Sequence, residues 1–309
     1  MRYITLALAL IVLTTPCMAY WSTGHMIISK IAYDEIKNKD PSMLKDIEDD
    51  ISLLKDWSME DNHTFIESAV WADDNKAIQW RAFNEWHFVD TPVIEPDFHG
   101  ETKEEDKNAT WATYEMEKTI KYKHKPKFDN GLAVSFSWRY LIHLVGDMHQ
   151  PLHGATLYSK KYPHGDRGGN SFDIDYKDNK DIKNLHFLWD ACVDQYGSIW
   201  APMNQTEYEK ISKIAANLTD SIPRSKVSDR VKILDTREWA KESHDLAENV
   251  VYKGINPGDA PSNEYMAEGR RVVNEQLVVA GYRLADMMME LYHEAHQEGQ
   301  VEKLLKESA

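Results

Sequence analysis

The stretch His143-Leu144-Val145-Gly146-Asp147-Met148-His149-Gln150-Pro151-Leu152-His153 decides how this chain is read. It closes an apolar run that begins at Leu132 and carries aromatic and aliphatic residues on most sides, the pattern of a long buried helix. His143 and Asp147 stand four positions apart, so both side chains leave one helical face and can grip a single ion. Pro151 ends the helix, which lets His153 swing in from the following turn.

Working outward, four further segments place His and Asp where metal chemistry would want them. Downstream, His186-Phe187-Leu188-Trp189-Asp190 repeats the four-residue spacing. Upstream lie Trp86-His87-Phe88-Val89-Asp90, Trp71-Ala72-Asp73 and Tyr20-Trp21-Ser22-Thr23-Gly24-His25. Each has a simpler explanation when taken alone. A His-x-x-x-Asp pair is commonly a hydrogen-bonded pair, Trp71-Ala72-Asp73 suits a helix start with a buried indole, and His25 suits a satisfied histidine near a chain end. Two such pairs flanked by apolar residues are harder to dismiss, because unpaired buried charge is costly. Imidazole with carboxylate, and no cysteine, is a donor set that suits zinc in a catalytic site.

The rest of the chain predicts a mostly α protein. His25 to Ile36 shows one-face apolar spacing, Arg237 to Tyr252 is amphipathic, and Glu264 to Gln297 carries Val272, Val273, Leu277, Val278, Leu284, Met288 and Leu291. Ser171 to Tyr176 is the best short strand candidate, and residues 91–108 and 154–184 read as irregular. No repeat or Pro/Gly/Ser linker divides the sequence. The expectation is a signal peptide over residues 1–19 and a single α-helical domain over residues 20–309.

Arg2, the apolar run Ile4 to Leu13 and the small residues of Cys17-Met18-Ala19 form the signal and its cleavage site, leaving Tyr20 first. Sequons at Asn62, Asn108, Asn204 and Asn217 fit a glycoprotein of the secretory route, secreted or held in a secretory or lysosomal lumen. Nothing later in the sequence is apolar enough to span a bilayer, so no stable membrane association is expected, and no obligatory protein partner is evident. Loss of Cys17 leaves Cys192 alone, so no intramolecular disulfide can form and the core, with any metals, must hold the fold. The formal net charge of −15 argues against a broad basic track for duplex DNA, so phosphate binding calls for a local positive site. The Lys121, Lys123, Lys125 and Lys127 cluster reads as a solvated stretch before it reads as a nucleic-acid contact.

The five segments, in this order, resemble the three-zinc single-strand nuclease and 3′-nucleotidase family of fungi, plants and protists, whose helical fold is related to zinc phospholipase C. The resemblance runs by motif from Tyr20 to about Asp190. It implies that Asp73, His87, His143 and Asp147 hold one Zn²⁺, and that His153, His186 and Asp190 hold a second. A third would take His25, Asp147 as a bridge, and the amine and carbonyl of the first mature residue. That residue is usually tryptophan in the family, whereas the same offset falls here on Tyr20.

The resemblance also implies two catalytic groups: Asp73, orienting the nucleophile, and Lys76, steadying charge on the phosphate. Phe88, Asp90 and Asn170 correspond to the stacking and hydrogen-bonding residues of a base pocket. Beside these stand a solvated Lys76, a core Phe88, an outer partner at Asp90 and a turn residue at Asn170. The segment from His153 to Gly168, with Lys160, Lys161, His164 and Arg167, looks longer than in compact members. The activity implied is zinc-dependent cleavage of single-stranded DNA and RNA to 5′-phosphorylated products, with single-stranded nucleic acid and nucleotides as substrates. A zinc phospholipase C typically offers Glu where Asp190 stands, and the Trp86 to Asp90 motif favours the nuclease side. A non-catalytic zinc-binding relative is the remaining alternative.

Overall fold

Helix α5 (Gly131–Asp147) runs through the middle of the molecule, and from Ser137 to Asp147 every residue is buried. The computed structural model describes residues 21–54, 63–77, 80–125 and 129–307. Around α5 lie α1 (Ser22–Lys39), α2 (Pro41–Ser52), the short α3 (Trp71–Ala77) and α4 (Ala109–Lys121). Then follow α6 (Leu185–Asp190), α7 (Gln205–Ser221), α8 (Arg224–Val231), α9 (Thr236–Leu246) and the long α10 (Asn263–Glu307). One hydrophobic cluster joins α1, through Met26, Ile27, Ile28 and Ile31, to α5 and to α10, through Val272, Leu277, Val278 and Leu284. The mostly helical class and the single domain are as the sequence predicts.

Local chemistry sets the helix ends. Asp40 caps α2 by accepting from the Ser42 and Met43 amides, and Asn204 forms a capping box with Glu207 at α7. Asn184 caps α6 by accepting from the Phe187 amide. Such caps contribute about 1 kcal/mol each. The one on α6 matters most here, because that helix spans only 6 residues and carries His186 and Asp190.

α1 lacks a side-chain cap and is instead tied across space, the Trp21 amide donating to the Asp190 carbonyl at 2.8 Å. It lies along α10 at unusually close range. A Cβ on Gly281 would stand 2.6 Å from Ile31 Cβ, so glycine is what permits the approach.

Three expectations need correction. The strands are β1 (Thr91–Ile94) and β2 (Ala155–Tyr158), inside the segments read as irregular, and they pair in parallel with Thr91 opposite Ala155 and Ile94 opposite Tyr158. Ser171 to Tyr176 holds only a bridge between Asp173 and Asn184. The helix expected over Arg237 to Tyr252 is α-helical to Leu246 and then widens to π over Ala247–Val251, while α10 continues past Gln297 to Glu307.

Pairing of β1 with β2 has a functional effect. Val89 N–H donates to the His153 carbonyl at 2.7 Å and Thr91 N–H to that of Gly154 at 3.2 Å. Phe88 to Asp90 is thereby laced to the turn that carries His153.

Candidate metal centre

α5 presents His143 and Asp147 from its last two turns, α3 presents Asp73, and the 3₁₀ turn Arg81–His87 ends on His87. His143 Nδ1 sits 2.6 Å from the Ala69 carbonyl, which places the proton there and turns Nε2 inward. His143 Nε2, His87 Nδ1 and Asp147 Oδ2 then lie 2.9, 3.0 and 3.1 Å from one another. Asp73 Oδ1 is 3.7 Å from both imidazole nitrogens.

These three short contacts cannot all be hydrogen bonds. With the His143 proton on Nδ1, a single His87 N–H has two acceptors to serve and can point at only one. Four donors on a tetrahedral zinc with bonds of about 2.0–2.1 Å stand about 3.3 Å apart. The observed spacings bracket that value, so the side chains fit a cation.

A second group forms where the turn Pro151–His153 meets α6. His153 Nδ1 faces the His87 carbonyl at 2.6 Å and His186 Nδ1 faces that of Gly168 at 2.5 Å, so both Nε2 atoms turn toward Asp190. They lie 3.7 Å from Asp190 Oδ1 and 3.2 Å from Oδ2 respectively. Buried His153 Nε2 and Asp190 Oδ2 make no hydrogen bond among the described residues, nor does Asp147 Oδ1. Orphaned donor atoms in a dry site fit a bound metal better than a structural network does.

His25 approaches from the first turn of α1. Its ring stacks on His143 with centroids 4.1 Å apart, and its Nε2 lies 3.3 Å from Asp147 Oδ1. Asp147 thus turns one oxygen toward His87 and His143 and the other toward His25, the disposition expected of a bridge. A Cβ on Gly146 would fall 2.4 Å from His25 Nδ1, so that position admits only glycine beside this ring. Tyr20, the expected backbone donor, lies outside the described residues. The neighbouring Trp21 amide is held by the Asp190 carbonyl, and a cavity of about 130 Å³ lies between the start of α1 and the end of α6, lined in part by Trp21, Gly24 and Asp190.

Electrostatics follow from burial against pairing. Burial raises the Asp73 carboxyl, but Lys76, His143 and His87 outweigh it and hold it well below the usual range. Asp147 is likewise held low by His143, His25 and His87 against the burial that raises it. His87 falls to about 3 through burial and then Lys76. His143 rises, because the Asp147 and Asp73 charges exceed the effect of burial. Three buried carboxylates stay ionised, which is what holding a cation requires.

Lys76 is not a solvated surface residue. It is buried, with Nζ donating to Asp73 Oδ1 at 2.8 Å. Phe88 is half-buried and lies outside the hydrophobic core. Asp90 is half-buried and adopts φ 57°, an uncommon conformation outside glycine. The Tyr252 hydroxyl stands 3.1 and 3.0 Å from the two oxygens of buried Asp166 and donates to that carboxylate. Burial, Asp166 and the Asp90 charge together hold that phenol well above 10. Asn170, at the end of the loop, donates to the Arg167 carbonyl at 2.9 Å. Lys121, Lys123 and Lys125 pair with Glu294, Asp50 and Glu298, so the described part of the first basic stretch is neutralised locally, and Lys127 lies outside the described residues; in the second stretch Lys160 pairs with Asp97 at 2.5 Å.

Sequence reasoning passed over His149 and Gln150, both fully buried. His149 Nδ1 faces the Val145 carbonyl at 2.7 Å, and its Nε2 accepts from Arg283 on α10 at 2.9 Å. Their position inside the motif was the only signal. Cys192, Val193 and Asp194, just beyond α6, all take φ between 52° and 54°. For a β-branched residue this is a strained conformation, of a kind that clusters at functional sites.

Fold and site together define a mostly helical protein with a buried His/Asp centre able to hold metal. The family model described as S1/P1 Nuclease matches residues 20–293, and the chain belongs to that family. Endonuclease 5 of Arabidopsis thaliana is 25% identical over 308 residues, covering 94% of this chain and 96% of that protein. Endonuclease 4 of the same plant is 23% identical over 303 residues, 92% and 93% of the two chains. Nuclease S1 of Aspergillus oryzae is 24% identical over 299 residues, 92% and 96%. The chain is accordingly a nuclease, a hydrolase of nucleic acid. Among the described residues no helix is long and apolar enough to cross a membrane.

Proposed function

We propose that this protein is a secreted, three-zinc phosphodiesterase that cleaves single-stranded DNA and RNA to 5′-phosphorylated products and also acts on 3′-nucleotides. The observation that carries the reading is the bridging Asp147, with one oxygen facing His87 and His143 and the other facing His25. It supports a cluster in which His25, His87 and His143 share one carboxylate. Bound zinc would supply positive charge at the phosphate and bring the pKa of a water to about 7.

The chain's own residues do the rest. Asp73, held ionised beside Lys76, orients the attacking water, and the Lys76 ammonium steadies charge that develops on the phosphate. Phe88 offers a half-exposed ring for a base to stack on, while the half-buried Asp90 and Asn170 offer polar groups for the base to hydrogen-bond. A splayed single strand reaches such a ring and a stacked duplex does not. Burial of the donors excludes bulk water and strengthens each charge interaction.

The test is metal analysis and N-terminal sequencing of the secreted protein, followed by hydrolysis assays. About three zincs, a Tyr20 start, faster cleavage of single-stranded than duplex DNA, and phosphatase-labile 5′ ends support the reading. Turnover of phosphatidylcholine alone would assign a phospholipase, and zinc content without any hydrolysis would assign a binding protein.

A further inference from the structure

Gln150 occupies a place that neither the mechanism above nor the ligand assignment uses. It lies between Asp147 and His153 in the chain, and it is fully buried. Its amide makes two opposed contacts: Oε1 accepts from the Leu152 amide at 2.5 Å, and Nε2 donates to Asp190 Oδ1 at 2.6 Å. The orientation has one solution. Flipping the amide would set two N–H groups against each other at Leu152 and two oxygens against each other at Asp190.

Each contact acts on a different donor of the same group. Accepting from Leu152 caps the turn Pro151–His153, where Pro151 has no amide proton of its own, and this turn delivers His153. Donating to Asp190 occupies Oδ1 and leaves Oδ2, which carries no hydrogen bond and stands 3.2 Å from His186 Nε2, as the available donor atom. One side chain therefore places two of the three donors His153, His186 and Asp190.

We propose that Gln150 is a positioning residue that presents Asp190 to metal through Oδ2 and fixes the approach of His153, so that it sets zinc affinity at this group and not at the Asp73–His87–His143–Asp147 group. The inference rests on the zinc reading given above. Hydrogen-bonded partners of metal ligands are worth roughly 10–100-fold in metal affinity. The consequence belongs to one group only, because the Gln150 side chain bonds Leu152 and Asp190, while its link to the other group is a backbone N–H to the Asp147 carbonyl at 3.0 Å that both variants below keep.

The test uses the full-length mature protein, wild type against Gln150→Met and Gln150→Glu. The first variant loses both contacts at similar volume. The second keeps an acceptor for Leu152 and so keeps the turn, but sets a carboxylate against Asp190. Zinc is titrated against a chromophoric chelator, Co²⁺ spectra report each donor set, and far-ultraviolet dichroism of the metal-free proteins checks folding. The expected result is one zinc weakened roughly 10–100-fold in both variants, with the Asp73–His87–His143–Asp147 site and its Co²⁺ spectrum unchanged. Wild-type affinity at every site in both variants would overturn the proposal, as would equal weakening of all sites. Absence of zinc from the wild-type protein would instead overturn the functional reading on which the proposal stands.

Discussion

Chelation should cost this protein a large and divisible amount of stability. The described residues complete two donor groups that share no side chain: Asp73, His87, His143 and Asp147 in one, His153, His186 and Asp190 in the other. The ion-pair contact between them, His153 Nδ1 to Asp147 Oδ1 at 3.9 Å, uses a nitrogen already engaged with the His87 carbonyl at 2.6 Å. Free zinc at a thousand times its Kd stabilises by about 4.1 kcal/mol per site, so two sites contribute about 8 kcal/mol. For a chain of this size 1 kcal/mol corresponds to roughly 2–4 °C in Tm, and the pair to roughly 15–30 °C. Calorimetry with and without a strong chelator, then with zinc, calcium or magnesium restored, measures it. His186→Ala should lose about half the shift, since the first group remains whole. Calcium and magnesium should not restore it, because both prefer oxygen-only cages. A chelator shift below a few degrees would refute the reasoning, and so would loss of the whole shift in the His186→Ala protein.

Glu117, beside Glu290 and Glu294, has its carboxyl raised from 4.5 to about 7 by burial and then by those neighbours. The folded state keeps a proton that the unfolded chain releases, so this group weakens the fold progressively as pH climbs from 4.5 through about 7. Glu117→Gln should remove that slope and stabilise by about 2 kcal/mol at pH 8, after allowance for solvent screening, with no gain at pH 4 by denaturant titration. Lys76→Met should lower kcat on single-stranded DNA by roughly 10²–10³-fold while leaving zinc content intact. Gly146→Ala drives a methyl group into the His25 ring. Mass spectrometry under native conditions should show that variant short of one zinc, and its stability should fall by about 1–3 kcal/mol.

The helices and the pairing of donors were readable because each rests on a short period. His143 with Asp147, and His186 with Asp190, needed only the four-residue spacing, and the structure holds them at 3.1 and 3.2 Å. Which groups would meet across the fold came from resemblance, since no local rule brings Asp73 of α3 to His143 of α5. The parallel strands were not legible. Thr91-Pro92-Val93-Ile94 and Ala155-Thr156-Leu157-Tyr158 are four residues each, show no alternation, and find each other only after α4 and α5 have packed between them in sequence. Left-handed backbone at Cys192, Val193 and Asp194 runs against every local preference and is imposed by the surroundings. Gln150 shows the same limit at one side chain, since its second partner is 40 positions away.

The close seam between α1 and α10 has a reach beyond packing. Gly281 sits far from any donor, yet it sets how near α10 lets α1 lie, and α1 carries His25 to within 3.3 Å of Asp147. Any bulkier residue at that crossing presses on Ile31 in the middle of α1, while the Trp21 amide ties the start of the helix to the Asp190 carbonyl. The packing of the helix that carries one candidate ligand is therefore set by a position outside the ligand set. A lineage drifting at this crossing would keep every candidate ligand in its sequence while the helix presenting one of them was repacked, a change that a comparison of ligands alone would miss.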